Sequence, residues 1–178
     1  MRFVKLREEH LEQVLKWRKS EHVTRFMYTD VEDNIEKQFR WYQRISNDST
    51  CRYWVIYIKE QPIGLVSIND IDDVNCRATW AYYIGDMNFS MVGAMIGPYL
   101  YNYAFETYKL HKLSGEVMAE NINVRKIHQM HGSREVGFYR DHVFKNGQYH
   151  DIYIYEMLAE EWEKKKVKFR KYVGVFEE

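Results

Sequence analysis

The chain has few of the groups that would place it in a specialised class. Cys51 and Cys76 are its only cysteines, form no C-x-x-C pair and fall in strand-like runs. They read as reduced structural thiols, as expected of a cytoplasmic protein. Net charge is absent, because 26 Lys plus Arg balance 26 Asp plus Glu. No field therefore draws the protein to nucleic acid or to an anionic lipid surface. No uninterrupted apolar run reaches membrane-spanning length, and the N-terminal "MRFVKLREEH" lacks the apolar core of a signal peptide. Neither nucleic acid nor membrane is expected as a partner. No repeat, low-complexity tract or interdomain linker interrupts the 178 residues, which leads us to expect one domain over 1–178.

What is present is apolar and aromatic. Hydrophobic residues make up 46% of the chain and aromatics 16%, with 15 Tyr and 5 Trp. That composition favours a globular protein with an aromatic interior or pocket. Period-2 runs predict strands at 2–6, 51–58, 63–70, 76–85 and 112–118, with Pro62 opening a strand. Two further strands flank Asn146-Gly147, a dipeptide that accepts the positive φ of tight hairpins. Amphipathic spacing predicts helices over "EEHLEQVLKWRKS", over "DNIEKQFRWYQRIS" capped by Asp33 or Asn34, and over 122–131. A further helix is expected at 98–109, with Pro98 in its first turn, where a missing N–H is tolerated. "LAEEWEKKKVKFRK" reads as a charge-balanced, solvated C-terminal helix. The order β-α-α-β-β-β-α-β-α-β-β-α describes one mixed α/β (α+β) domain.

Several stretches could carry chemistry. In "NFSMVGAMIGPY" an apolar strand gives way to a loop and a helix, whose N-terminal N–H groups and dipole could hold a pyrophosphate. An ordinary strand-to-helix loop explains the same residues. Glu116 sits mid-strand in "KLSGEVM", sharing a face with Ser114 and Met118. It is either a solvated strand acid or a ligand-facing one. His128 and His131 lie three apart on one helical face, yet a metal site needs further ligands, and the options are scattered at His142, Asp141 and His150. We expect no metal, and His131 reads as a packing or surface residue. Asn121 and Asn123 open that helix, and either serves as its cap. Met27, Tyr28, Trp41 and Trp80 are either core residues or a stacking wall.

The order of elements and these motifs together resemble the GNAT superfamily of acetyl-CoA-dependent N-acetyltransferases over essentially the whole length. The resemblance implies a mixed, mostly antiparallel sheet of about seven strands flanked by helices. The family's pyrophosphate loop, Q/R-x-x-G-x-G/A, aligns with Ser90, Met91, Val92, Gly93, Ala94 and Met95, of which only Gly93 is kept. The segment from Val117 to Leu158 is similar to the group that includes the ribosomal-protein acetyltransferases, at Asn121, His128, Asn146-Gly147 and Asp151. Within that group, "RFMYTD", "WYQRISNDSTCRYW" and "HKLSGEVMAEN" resemble the N-acetyltransferases of the pseudaminic acid pathway. These act on the 4-amino group of a UDP-linked amino-deoxy sugar.

The resemblance implies acetyl-CoA as co-substrate, contacted at Ser90–Met95 and at Asn121. It also implies a polarising backbone N–H around Tyr82, Tyr83 and Ile84, and a nucleotide-sugar pocket formed by Met27, Tyr28, Trp41 and Trp80. Glu116 would be the general base. His128 would stand at the general-acid position, where the family usually has a tyrosine. An imidazolium has an ordinary pKa of about 6.5, a phenol about 10 and a thiol about 8.5, so this replacement should alter the pH dependence. The alternatives are a ribosomal-protein-type or polyamine N-acetyltransferase, or a non-catalytic acyl-CoA-binding module. A homodimer is left open.

Overall fold

The computed structural model describes all 178 residues. The alternating runs become strands β1 (Arg2–Lys5), β2 (Arg52–Ile58), β3 (Gln61–Asp72), β4 (Arg77–Ile84), β5 (Lys112–Met118), β6 (Arg134–Lys145), β7 (Gln148–Leu158) and β8 (Val175–Phe176). The helices are α1 (Leu11–Lys19), α2 (Glu21–Thr24), α3 (Ile35–Ser46), α4 (Gly93–Asn102), α5 (Ile122–His131) and α6 (Ala159–Lys165). The strands form one mixed sheet in the order β6-β7-β5-β4-β3-β2-β1-β8. The β1–β2, β2–β3, β5–β7 and β6–β7 pairs are antiparallel, whereas β4–β5 and β1–β8 are parallel.

Contacts gather into two units, each discontinuous in sequence. The first comprises 1–71, 81–93 and 174–178, and the second 72–80 and 94–173. In the first unit the inner face of α1 supplies Leu11, Val14 and Trp17 to a core shared with Leu6, Val55 and Leu65. Asn34 caps α3 by accepting the Lys37 N–H at 2.9 Å. Gly85 is required by packing there, since a Cβ would fall 2.1 Å from the Trp17 ring. In the second unit the fully buried side chains include Tyr101, Leu113, Tyr155 and Trp162. The β6–β7 turn places Asn146 at φ 52° and Gly147 at φ 79°, the conformation that Asn-Gly accepts.

Three expectations change. The helix expected at 98–109 begins earlier, with a 3-10 turn over Met87–Val92 running into α4 at Gly93, and it ends in a π-helical turn over Tyr103–Thr107. Pro98 consequently lies inside α4 rather than in its first turn. The short α2 follows α1 directly. An eighth strand is added by Val175 and Phe176, which pair with Arg2 and Phe3 while the Phe3 and Phe176 rings stack at 4.0 Å. The long C-terminal helix shortens to α6 and a 3-10 turn at Lys166–Phe169.

Candidate active site

β5 places the second unit's candidate chemistry. It is laddered with β7 from Lys112↔Leu158 to Met118↔Ile152, while its parallel ladder with β4 ends at Thr79↔Ser114. Strand alternation sends Leu113, Gly115 and Val117 to one face and Lys112, Ser114, Glu116 and Met118 to the other. Glu116 is exposed, and Ile154 stands opposite it on β7. The other carboxylate on this face, Glu156, pairs with Lys112 at 2.6 Å.

His128 belongs to the opposite face. A Cβ on Gly115 would lie 3.4 Å from the His128 ring and 3.3 Å from the Trp80 indole nitrogen, so the missing side chain is what admits both rings. His128 stacks on Tyr155 at 4.7 Å and meets Trp80 at 5.4 Å, and it is only 5% exposed. Burial, with a smaller contribution from His131, pulls its pKa from 6.5 down to about 4. At neutral pH the ring is neutral, and its buried Nδ1 has no hydrogen-bond partner. The nearby phenol of Tyr155 is occupied, donating to Glu135 at 3.0 Å and accepting from Arg125 at 3.4 Å. Trp80, expected in a substrate wall, is 6% exposed and packs edge-on against Tyr101 at 5.4 Å. It is a core residue, and the substrate reading loses it.

α5 is held at both ends. The Asn121 side chain accepts the Val124 N–H at 3.4 Å, a cap role, and Gly132 ends the helix at φ 81°. His131, expected to be a packing or surface residue, is 1% exposed.

The window expected to hold a pyrophosphate starts in the first unit. Asp86 caps the 3-10 turn by accepting the Asn88 N–H at 3.0 Å, and its other oxygen accepts from Gln61 at 2.7 Å. Neither that turn nor the start of α4 carries an acidic side chain, Ser90 and Met91 are exposed, and Gly93 is buried. Tyr82 and Ile84 of β4 lie beside Gly93, each 3.5 Å from where its Cβ would stand. These three predicted residues therefore come together. Gly93 has an ordinary helical φ of −51°, and its N–H already bonds Ser90 O within the turn. Burial raises the Tyr82 and Tyr83 phenols well above 10, and the Tyr83 hydroxyl has no partner. Past the Asp86 carboxylate the Ser90–Met95 window is free of acidic side chains, with Ser90, Gly93 and Ala94 its small residues among Met91, Val92 and Met95, and that lack of negative charge is what suits a diphosphate.

The first unit also gathers three of the expected substrate residues near an arginine that sequence reasoning passed over. Arg18, at the end of α1, is half-buried and donates to the Thr29 carbonyl at 3.0 Å, which pins the loop carrying Met27 and Tyr28. Burial pulls its guanidinium pKa down, opposed by Tyr83, Asp30 and Tyr53. Trp41 of α3 meets the Tyr53 ring edge-on at 5.4 Å. Arg18 sits in an amphipathic helix among other cations, so nothing in its spacing singled it out.

A family model described as acetyltransferase (GNAT) domain matches residues 1–134. The chain belongs to the GNAT acetyltransferases. It is accordingly a GNAT-type N-acetyltransferase, an enzyme family that uses acetyl-CoA. Its relatives include Acetyltransferase PseH of Campylobacter jejuni, 28% identical over 127 residues, which span 71% of this chain and 78% of that protein. Putative ribosomal N-acetyltransferase YdaF of Bacillus subtilis is 31% identical over 105 residues, 58% of this chain and 57% of that one. Among solved structures, spermidine N-acetyltransferase from Vibrio cholerae, in complex with CoA and spermine, aligns with a TM-score of 0.84. It is 18% identical, over 90% of this chain and 96% of that one, a likeness of fold. No helix is long and apolar enough to cross a membrane, and no group of three or more His, Cys, Asp or Glu is placed to hold a metal ion.

Proposed function

We propose that the protein transfers an acetyl group from acetyl-CoA to the 4-amino group of a UDP-linked amino-deoxy sugar, directly, within a ternary complex. The observation that carries this reading is Arg18. A guanidinium has five N–H donors, and the hydrogen bonds of Arg18 all go to Thr29. Half-buried beside Tyr53, it suits a diphosphate and repels a polycation. Met27, Tyr28 and Trp41 supply apolar and aromatic surface for a nucleobase. Of the acids in this region, Asp30, whose charge Arg18 feels, accepts from the Thr24 hydroxyl at 2.7 Å, Asp33 pairs with Lys19 and Glu32 with Lys37, which leaves them less to offer a polyamine.

In this reading acetyl-CoA supplies the activated acetyl thioester, and Ser90–Met95, with Tyr82, Tyr83, Ile84 and Asn121, hold it. Glu116 takes the amine proton, directly or through a water, on a face it shares with Ser114, Met118 and Ile154. The departing thiolate takes its proton from water, since His128 lies on the opposite face of β5 from Glu116, buried against Trp80 and Tyr155. With the His128 pKa near 4, its ionisation lies away from neutrality. The test is acetyl-CoA consumption across UDP-4-amino sugars, polyamines and N-terminal peptides. Turnover confined to polyamines or to peptides would overturn the sugar-nucleotide assignment.

A further inference from the structure

His131 has no place in the chemistry above, yet it is among the most completely buried polar residues of the second unit. Its surroundings give the reason. In an α-helix the N–H of residue i donates to the carbonyl of residue i−4. Pro98 lies inside α4 and has no N–H, so it removes the donor that Ala94 would otherwise receive. The His131 Nε2 stands 2.8 Å from that same Ala94 carbonyl. Since a carbonyl can only accept, Nε2 carries the proton, and Nδ1 is the nitrogen left buried without a partner.

The approach depends on Gly97, the residue before the proline. A Cβ there would stand 2.6 Å from His131 Nδ1 and 2.7 Å from its Cε1. Tyr101 and Phe169 meet the imidazole edge-on at 6.2 and 5.8 Å, which fixes the plane of the ring. Gly97 and Pro98 on α4 and His131 on α5 therefore form one device. The proline opens a carbonyl, the glycine clears the path, and the histidine closes the gap.

The Ala94 carbonyl shares a rigid peptide plane with the Met95 N–H, which points the opposite way in a trans peptide. We propose that His131 is a positioning residue for the donor substrate: by holding the Ala94 carbonyl it fixes the backbone that receives the pyrophosphate of acetyl-CoA. This rests on the reading of Ser90–Met95 as the pyrophosphate cradle.

The experiment measures calorimetric binding of CoA and of 4′-phosphopantetheine, which keeps the arm and one phosphate but lacks the diphosphate. His131→Leu should weaken CoA binding about tenfold and leave 4′-phosphopantetheine binding nearly unchanged. His131→Gln, which retains an N–H donor, should recover much of the loss. Pro98→Ala on the His131→Leu background restores a backbone N–H facing Ala94 and should return CoA affinity to within about threefold of the parent. Thermal melts of each variant identify any that fails to fold, and the Pro98→Ala rescue then decides the matter in the pair that folds. Rescue of folding without rescue of CoA affinity overturns the proposal, as does equal weakening of both ligands by His131→Leu. If the parent itself does not prefer CoA over 4′-phosphopantetheine, the cradle reading fails and the proposal with it. A parent preference that His131→Leu leaves intact removes His131 alone.

Discussion

Around Arg18 the polar and aromatic groups are half-exposed: the guanidinium is anchored at Thr29, Tyr28 is 37% exposed, and Trp41 leans edge-on against Tyr53. Around α5 they are buried, with His128 at 5% and His131 at 1%, and burial pulls both imidazole pKa values down. The same classes of side chain thus serve two purposes. A half-wet arginine and aromatic surface can exchange water for a polar ligand and give it up again. A dry imidazole keeps one protonation state and one orientation, because changing either strands a polar atom away from water. In the proposed reading, specificity belongs to the first region and fixed geometry to the second.

The largest expected effect falls on the exposed acid of β5. Glu116→Gln should lower kcat by at least about 100-fold with little change in KM for acetyl-CoA, read from initial rates. Near-normal turnover would remove Glu116 from the chemistry.

Acid should distinguish the two regions next. His128 titrates near 4 in the fold and near 6.5 when unfolded, so between those values the unfolded chain binds the extra proton. Stability is therefore full above about pH 6.5 and declines as pH falls towards 4, by on the order of 3 kcal/mol from this residue. His131 acts in the same direction. Urea melts at pH 7, 5.5 and 4.5 should show the decline, and His128→Phe should flatten it. A parent as stable at pH 4.5 as at 7 would contradict the dry-imidazole account.

Arg18→Met should raise KM for a UDP-amino sugar roughly 30-fold while kcat stays within a few-fold, with Arg18→Lys intermediate. An unchanged KM would dissociate Arg18 from the acceptor. The smallest effect is expected of Trp41→Leu, about threefold in the same KM, because a half-exposed ring in edge contact contributes modestly. A larger loss from Trp41 than from Arg18 would make stacking, rather than charge, the basis of recognition.

Much of this was legible in the sequence. β5 and α5 fall on the expected boundaries, 112–118 and 122–131, because strict alternation marks the one and an Asn cap with a closing Gly marks the other. The start of α4 was not legible. "NFSMVGAMIGPY" is apolar nearly throughout and offers no amphipathic period, so Pro98 was the strongest local signal and pointed to the wrong turn. β8 is two residues long and pairs with the opposite end of the chain, beyond any local window. Glu116 was visible because a mid-strand acid breaks a pattern. The role of His131 was hidden, since it answers a donor missing from another helix.

The Pro98–His131 arrangement also sets the order in which two positions can drift. A chain that loses the proline first regains its own backbone donor at 98, and the histidine then becomes dispensable. A chain that loses the histidine first must pass through an intermediate with the Ala94 carbonyl stranded. Descendants should therefore shed the proline before the histidine, and a proline arriving at this point of α4 should be tolerated only where a donor already waits at 131.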